Sequence, residues 1–215
     1  MSTPGRRHIS VNTAAQQWIA PPLPALEPIK KFHSSLPNFS VTPLISLDEV
    51  AAEIGVQRVF VKDATHRLGL PAYKSLGASW ATYRAIIDKL CLPNDSDLTA
   101  VGIAARQNGV HLFAATDGNH GRAVARMAAI LGIEATILVP EWLDLPTRAH
   151  ISNEGARVEV FAGDYNGTVG AASSRAKDCG GLLVQDQAFE DYVQIPQVWD
   201  ASIGRIFELI VCSGL

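Results

Sequence analysis

The sequence has little of what several protein classes require. Its three cysteines, Cys91, Cys179 and Cys212, stand far apart. With no CxxC pair and no His/Cys spacing that suits zinc, neither a disulfide framework nor a metal centre is expected. His33, His66, His111 and His150 show no mutual metal spacing either. No apolar run approaches the ~20 residues that span a bilayer, so no membrane segment is expected. Basic residues are not in excess: 18 Lys and Arg stand against 21 Asp and Glu, for a net charge of −3. Without a concentrated basic face, tracking nucleic-acid phosphates is excluded as an expectation. Arg6 and Arg7 are not followed by an apolar segment, so no secretory signal is expected. Residues 1–20 contain no acid, but their weak amphipathicity makes a mitochondrial presequence the lesser reading. The expected location is cytoplasmic.

What is present describes a globular chain. Hydrophobic residues make up 47% and charged residues 18%, enough apolar material to bury a core. A length of 215 residues suits one to two domains. Seven of the twelve prolines fall within residues 1–43. Proline fixes φ and removes a donor, so residues 1–40 are expected to form an extended arm with little helix. From Val41 the texture changes. Leu47–Ile54 reads as a short helix closed by Gly55.

A repeating pattern follows. Val59–Lys62 is a short β-branched strand. Leu76, Trp80, Tyr83, Ile87 and Leu90 recur at steps of four and three, the signature of a helix over 75–90. Strands are expected at 111–116, 136–139, 158–161 and 182–185. Helices are expected at 120–131, 146–154 and 166–178. Strands alternating with helices imply βαβ units: an α/β fold with a mostly parallel open sheet and helices on both faces. In such sheets ligands bind beyond the carboxyl ends of the strands, so residues just after strands carry the interest.

Three segments qualify. Lys74, in Leu70-Pro-Ala-Tyr-Lys-Ser-Leu-Gly77, stands at a predicted helix start. A cation is mildly disfavoured there unless an anionic ligand or loss of its charge offsets the helix dipole. The same dipole favours the neutral, nucleophilic amine. A solvated surface lysine would occupy the position equally well. The second segment, Ala115-Thr-Asp-Gly-Asn-His-Gly-Arg122, follows a strand and opens a helix. Gly118 and Gly121 allow close approach of a ligand to the backbone, and free amides there hold anions. Asp117 and His120 are placed for acid–base work, although an ordinary turn with Asp117 as helix cap fits as well. The third segment, Val184 to Tyr192, puts Asp186 after a strand, where it faces the same crevice or caps the next helix.

Together these segments, with Val61-Lys-Asp63 and Arg67-Leu-Gly-Leu70, resemble the fold type II pyridoxal-phosphate enzymes. These are the relatives of tryptophan synthase β, threonine synthase and the serine/threonine dehydratases. The wording is most similar to the 2,3-diaminopropionate ammonia-lyases, and the resemblance covers about residues 38–197. It implies pyridoxal 5'-phosphate as cofactor, a small amino acid as substrate, and a small subdomain near 75–131 inserted in a larger one. By position, Lys74 corresponds to the lysine that forms an imine with the cofactor. Asn119 corresponds to the hydrogen-bond partner of the cofactor's ring hydroxyl, with Gly118, His120 and Gly121 completing that turn. Asp117, where many dehydratases carry serine, corresponds to an acid that binds substrate and moves a proton. Asp186 corresponds to an acid near the substrate's amino groups. The implied reaction is α,β-elimination of ammonia from 2,3-diaminopropionate or a similar amino acid, giving pyruvate. Serine/threonine dehydratase-like or threonine synthase-like chemistry is the alternative within the same fold.

The family's chains continue further, into a glycine-rich phosphate loop and a group facing the pyridine nitrogen. Here residues 198–215 are unlike the family and offer no phosphate cradle. The reading is therefore of an N-terminal half, incomplete at its C-terminus. Such a chain is expected to be inactive alone and prone to associate through an exposed sheet edge and the apolar run Ile206–Val211. A homo-oligomer, or a non-catalytic fragment paired with a full-length relative, follows as a further expectation.

Overall fold

The computed structural model describes residues 26–189, 191–200 and 202. A single four-stranded parallel sheet organises them. Its strands are β3 (His111–Ala115), β4 (Glu134–Pro140), β5 (Arg157–Phe161) and β6 (Leu182–Leu183), in the spatial order β5-β4-β3-β6. Register runs from His111 opposite Glu134 to Ala115 opposite Leu138, and from Thr136 opposite Arg157 to Pro140 opposite Phe161. The remaining helices and strands are α1 (Leu26–Ser35), β1 (Leu44–Ser46), α2 (Asp48–Ile54), β2 (Phe60–Lys62), α3 (Lys74–Leu90), α4 (Leu98–Gln107), α5 (Asn119–Leu131), α6 (Leu145–Asn153) and α7 (Tyr165–Asp178). The expected α/β fold with a parallel sheet is thus the one found.

Strand β3 shows why the sheet carries helices on both faces. Successive side chains of a strand point to opposite faces. Leu112 and Ala114 enter a core shared with α1, α3 and α5, whereas Phe113 and Ala115 enter a second core built with Val169, Ala172 and Ala176 of α7. A strand apolar at four successive positions, Leu112 to Ala115, has two faces to bury, as parallel sheets do. The range 75–131 shares the first of these cores with the sheet.

Three local readings are corrected. The proline-rich arm was expected to be extended, yet α1 lies within it. Pro28 sits in the first turn, where no intrahelical donor is required. Ile29, Phe32 and Leu36, spaced by three and four, bury against Trp80 and Tyr83 of α3. Residues 1–25 lie outside the described residues, as does Ile206–Val211. Strand β2 does not join the parallel sheet but pairs antiparallel with β1, Leu44 opposite Lys62. Helix α4 was not foreseen. Asp97 caps it by accepting from the Ala100 amide at 2.8 Å, and Val101 and Ala105 bury one face.

Candidate active site

Strands β3 and β6 are neighbours, and their carboxyl ends point the same way. Beyond β3 the chain turns through Thr116-Asp117-Gly118 into α5. Beyond β6 it runs through Val184-Gln185 to Asp186. Gln185 locks the two ends together. Its fully buried side chain accepts from the Ala115 amide at 3.1 Å and donates to the Ala115 carbonyl at 3.2 Å, extending the ladder with a side chain. The Gln185 amide donates to the Tyr192 hydroxyl at 2.8 Å, and that hydroxyl donates to Leu183 O at 2.9 Å. Asp186 is thereby fixed at the crevice.

Lys74 is the first residue of α3, and its Nζ donates to Asp186 Oδ2 at 2.7 Å across 112 residues of sequence. The two side chains are 26% and 15% exposed, so the pair is reachable yet shielded. Burial opposes ionisation of Asp186. The carboxyl is nonetheless held below its ordinary range: a charged His120 ring would act most strongly, but with that ring neutral the hydrogen bond and charge of the Lys74 ammonium are what favour the carboxylate. Asp186 caps no helix; it faces Lys74.

Helix α5 opens at Gly118, whose φ of 150° and ψ of −90° only glycine adopts without strain. The N-cap, Gly118, has no side chain, and Thr116 two residues earlier supplies the capping oxygen. Its Oγ1 accepts from the amides of both Gly118 and Gly121 at 2.9 Å. Asp117 is therefore relieved of the capping role that the sequence left open, and stands exposed at the mouth of the crevice beside exposed Asn119. Gly121 is glycine for packing. A Cβ there would lie 2.4 Å from Thr116 Cγ2 and 2.6 Å from Ile137 Cγ2. The amides of Asn119 and His120 make no hydrogen bond to a described residue and are the open donors of the turn. Arg122 points away from the crevice, its Nε 2.9 Å from Glu154 Oε1.

His120 is fully enclosed, and its Nε2 lies 2.8 Å from Val184 O. Its Nδ1 lies 3.8 Å from Asp186 Oδ2. Burial pulls its pKa down against the opposing charge of Asp186, so the ring is neutral near pH 7. Tyr165, on α7, was missed by sequence reasoning. It accepts from Gln185 Nε2 at 3.1 Å, and its hydroxyl is pushed up to about 12 by burial and by the charges of Asp186 and Asp117. Its only sequence signal is that it opens the helix after β5. The crevice thus pairs Lys74 with Asp186, with Asp117 near enough for its charge to be felt at Tyr165 and His120. A cavity of about 940 Å³ lies elsewhere, between α1 and α3, and none of the expected site residues lines it.

An amine at a helix start, faced by an acid that caps nothing and a glycine turn with open amides, can form an imine with an aldehyde and hold an anion. Comparison with known proteins gives the family. The model of the family "pyridoxal-phosphate dependent enzyme" matches residues 36–210. The chain belongs to this family. It is 36% identical over 169 residues to the diaminopropionate ammonia-lyase of Salmonella typhimurium, a match covering 77% of this chain and 42% of that protein. It is 35% identical over 171 residues to the diaminopropionate ammonia-lyase of Escherichia coli K12, covering 78% and 42%. The apo crystal structure of the Escherichia coli diaminopropionate ammonia-lyase superposes with a TM-score of 0.79 at 30% identity, over 88% of this chain and 53% of that one. The chain therefore spans about half the length of these relatives or less. The family and these relatives, one of them solved with an aminoacrylate bound to the cofactor, make pyridoxal phosphate the indicated cofactor. No helix among the described residues is long and apolar enough to cross a membrane.

Proposed function

We propose that this chain carries the amine and substrate-binding half of a pyridoxal-phosphate lyase that eliminates ammonia from 2,3-diaminopropionate or a closely related diamino acid, yielding pyruvate. The observation that carries the reading is the Lys74–Asp186 pair at 2.7 Å, with Asp117 left free beside it by the Thr116 cap. A diamino acid brings two ammonium groups, and the crevice offers two carboxylates. Serine or threonine brings one.

Lys74, Asn119 and the open amides at the start of α5 are the residues that would hold the cofactor. Pyridoxal phosphate, when bound, supplies the electron sink that makes an α-proton removable. The chain's own residues do the rest. Lys74 Nζ serves as nucleophile and proton carrier. Asp186 Oδ2 holds an ammonium, as it holds that of Lys74 here. Asp117 offers a second carboxylate that binds the other amino group or takes a proton. The Asn119 amide orients a hydroxyl by donating or accepting. Partial burial of the Lys74–Asp186 pair strengthens its charge contact relative to water.

The second reading, a serine/threonine dehydratase, is supported by 33% identity over 105 residues to the mouse L-serine dehydratase/L-threonine deaminase. One experiment separates them. The polypeptide is loaded with pyridoxal phosphate, reduced with borohydride, and mapped for a pyridoxyl group on Lys74. Pyruvate and 2-oxobutyrate release from diaminopropionate, serine and threonine is measured in parallel. Label at Lys74 is the expected result for the chain alone, and preferential turnover of diaminopropionate is expected once the C-terminal half of the family's fold is supplied. Preferential turnover of serine would replace the reading, and label at another lysine would move the site. Light scattering of the same preparation reads whether the chain forms a homo-oligomer.

A further inference from the structure

His120 poses a problem that the crevice does not solve as it stands. Its Nε2 faces the Val184 carbonyl at 2.8 Å. A carbonyl only accepts, so Nε2 carries the hydrogen and Nδ1 presents a bare lone pair. That Nδ1 is buried and has no hydrogen-bond partner among the described residues. An unpaired acceptor of this kind is costly inside a protein. Its neighbour is Asp186 Oδ2 at 3.8 Å, which as a carboxylate is an acceptor too. Two acceptors aimed at each other gain nothing. The indole of Trp199, edge-on with ring centroids 5.1 Å apart, closes a further side of the ring.

The arrangement becomes favourable in one other state. If Asp186 carries a proton on Oδ2 and the carboxyl moves about 1 Å toward the ring, that hydroxyl donates to Nδ1 at an ordinary hydrogen-bond length, and both the carboxyl and the ring are satisfied. In the present state the Lys74 ammonium keeps Asp186 ionised. Once the Lys74 charge is removed, the half-buried carboxylate loses its partner, and a proton is the smallest replacement.

We infer that His120 Nδ1 is the built-in acceptor for protonated Asp186, so that His120 is a positioning residue that lets Asp186 pass between carboxylate and carboxylic acid with a shift of only about 1 Å. The step moves one proton only. It leaves an ammonium near Oδ2, Asp186 becomes neutral, and the amine that gave it up becomes neutral. No bond to His120 is made or broken, because its Nε2 hydrogen stays on Val184 O. The charged and titratable groups around the pair are Lys74 from α3, Asp117 from the turn before α5, Tyr165 from α7, and Tyr192 after β6.

The inference rests on the site reading above, but its test does not depend on turnover. The 215-residue chain is labelled with ¹⁵N-histidine and ¹³C-carboxyl aspartate and studied by NMR as the native sequence and as Lys74→Met. In the native chain His120 is expected as the neutral Nε2–H tautomer with a free Nδ1. In Lys74→Met the Nδ1 resonance is expected to move to that of a hydrogen-bond acceptor while Asp186 titrates at higher pH. Adding His120→Gln, which keeps an N–H for Val184 but removes the Nδ1 acceptor, is expected to lower the proton affinity of Asp186 about tenfold. His120→Asn, which returns an acceptor near Nδ1, is expected to restore part of it. A Nδ1–H tautomer in the native chain, or a rise in Asp186 proton affinity in Lys74→Met/His120→Gln, would overturn the inference. A pyridoxal phosphate label or substrate preference that fails while these shifts appear would instead overturn only the proposed reaction.

Discussion

Two buried histidines divide the molecule into a part that is packed and a part that is poised. His33, on α1, lies against α3 with its Nε2 3.1 Å from Leu76 O, among Phe32, Trp80 and Tyr83. His120, on α5, makes the same kind of bond to Val184 O. Burial pulls both below the ordinary histidine value, His33 to about 4. The surroundings differ in sign. The charged neighbour of His33 is the Arg67 guanidinium, which only deepens its neutrality. His120 faces Asp186, Lys74 and Asp117, groups whose charges change during proton transfer. Equal burial therefore means different things: one ring fills a seam between helices, the other borders a crevice.

The most severe way to break that contrast is at Lys74. Lys74→Ala is expected to remove the borohydride-fixed pyridoxyl label at this position entirely, while far-UV dichroism stays native because the side chain is partly exposed. A label persisting in Lys74→Ala would put the covalent chemistry elsewhere.

The packed side has its own signature in pH. Below pH 6.5 the unfolded chain binds a proton at His33 that the folded chain refuses until about pH 4. The unfolded state then holds more protons, so stability falls as pH drops through this window, by up to about 3 kcal/mol. His33→Gln keeps an N–H for Leu76 O and is expected to flatten the acid limb of a urea-unfolding series from pH 7 to 4. An unchanged limb would assign the acid sensitivity to His120 instead.

On the poised side, Asp117→Asn preserves shape and removes charge. Losing a close charged contact of roughly 1.5–3 kcal/mol corresponds to about a 10- to 100-fold loss of pyruvate release when the chain is completed with the family's C-terminal half. Unfolding stability is expected to stay put, since Asp117 caps nothing. The smallest effect sharpens this from the other direction. Thr116→Val removes the acceptor shared by Gly118 and Gly121 and is expected to cost about 1–2 kcal/mol in denaturant unfolding. If instead Asp117→Asn destabilises and Thr116→Val does not, the cap has been assigned to the wrong residue.

Much of this was legible in the sequence because it is local. The periodicity of α3 and α5 and the apolar runs of β3 and β4 state their own structure. Lys74, Asp117 and Asp186 were found by their places after strands and at helix starts. What escaped is settled by partners far along the chain. Strand β2 pairs antiparallel because its neighbour is the three-residue β1, which has no signal of its own. Helix α1 forms because Trp80 and Tyr83 cover its apolar side, overriding a proline count that argued for extension. The choice between Thr116 and Asp117 as cap turns on which of two adjacent oxygens reaches the Gly118 and Gly121 amides, and both residue types are good caps.

The ion pair that joins Lys74 to Asp186 also sets a timetable. Its two ends are 112 residues apart in the chain. Local helices form in microseconds, whereas closing so long a loop requires the intervening strands to pair first. During synthesis α3 leaves the ribosome well before Asp186 exists, and domains mature from the N-terminus as they emerge. Until β6 docks beside β3, Lys74 has no carboxylate from this segment to meet. The crevice therefore appears only after β6 has paired with β3, and a fluorescent or crosslinking probe across this pair would mark the docking of β6.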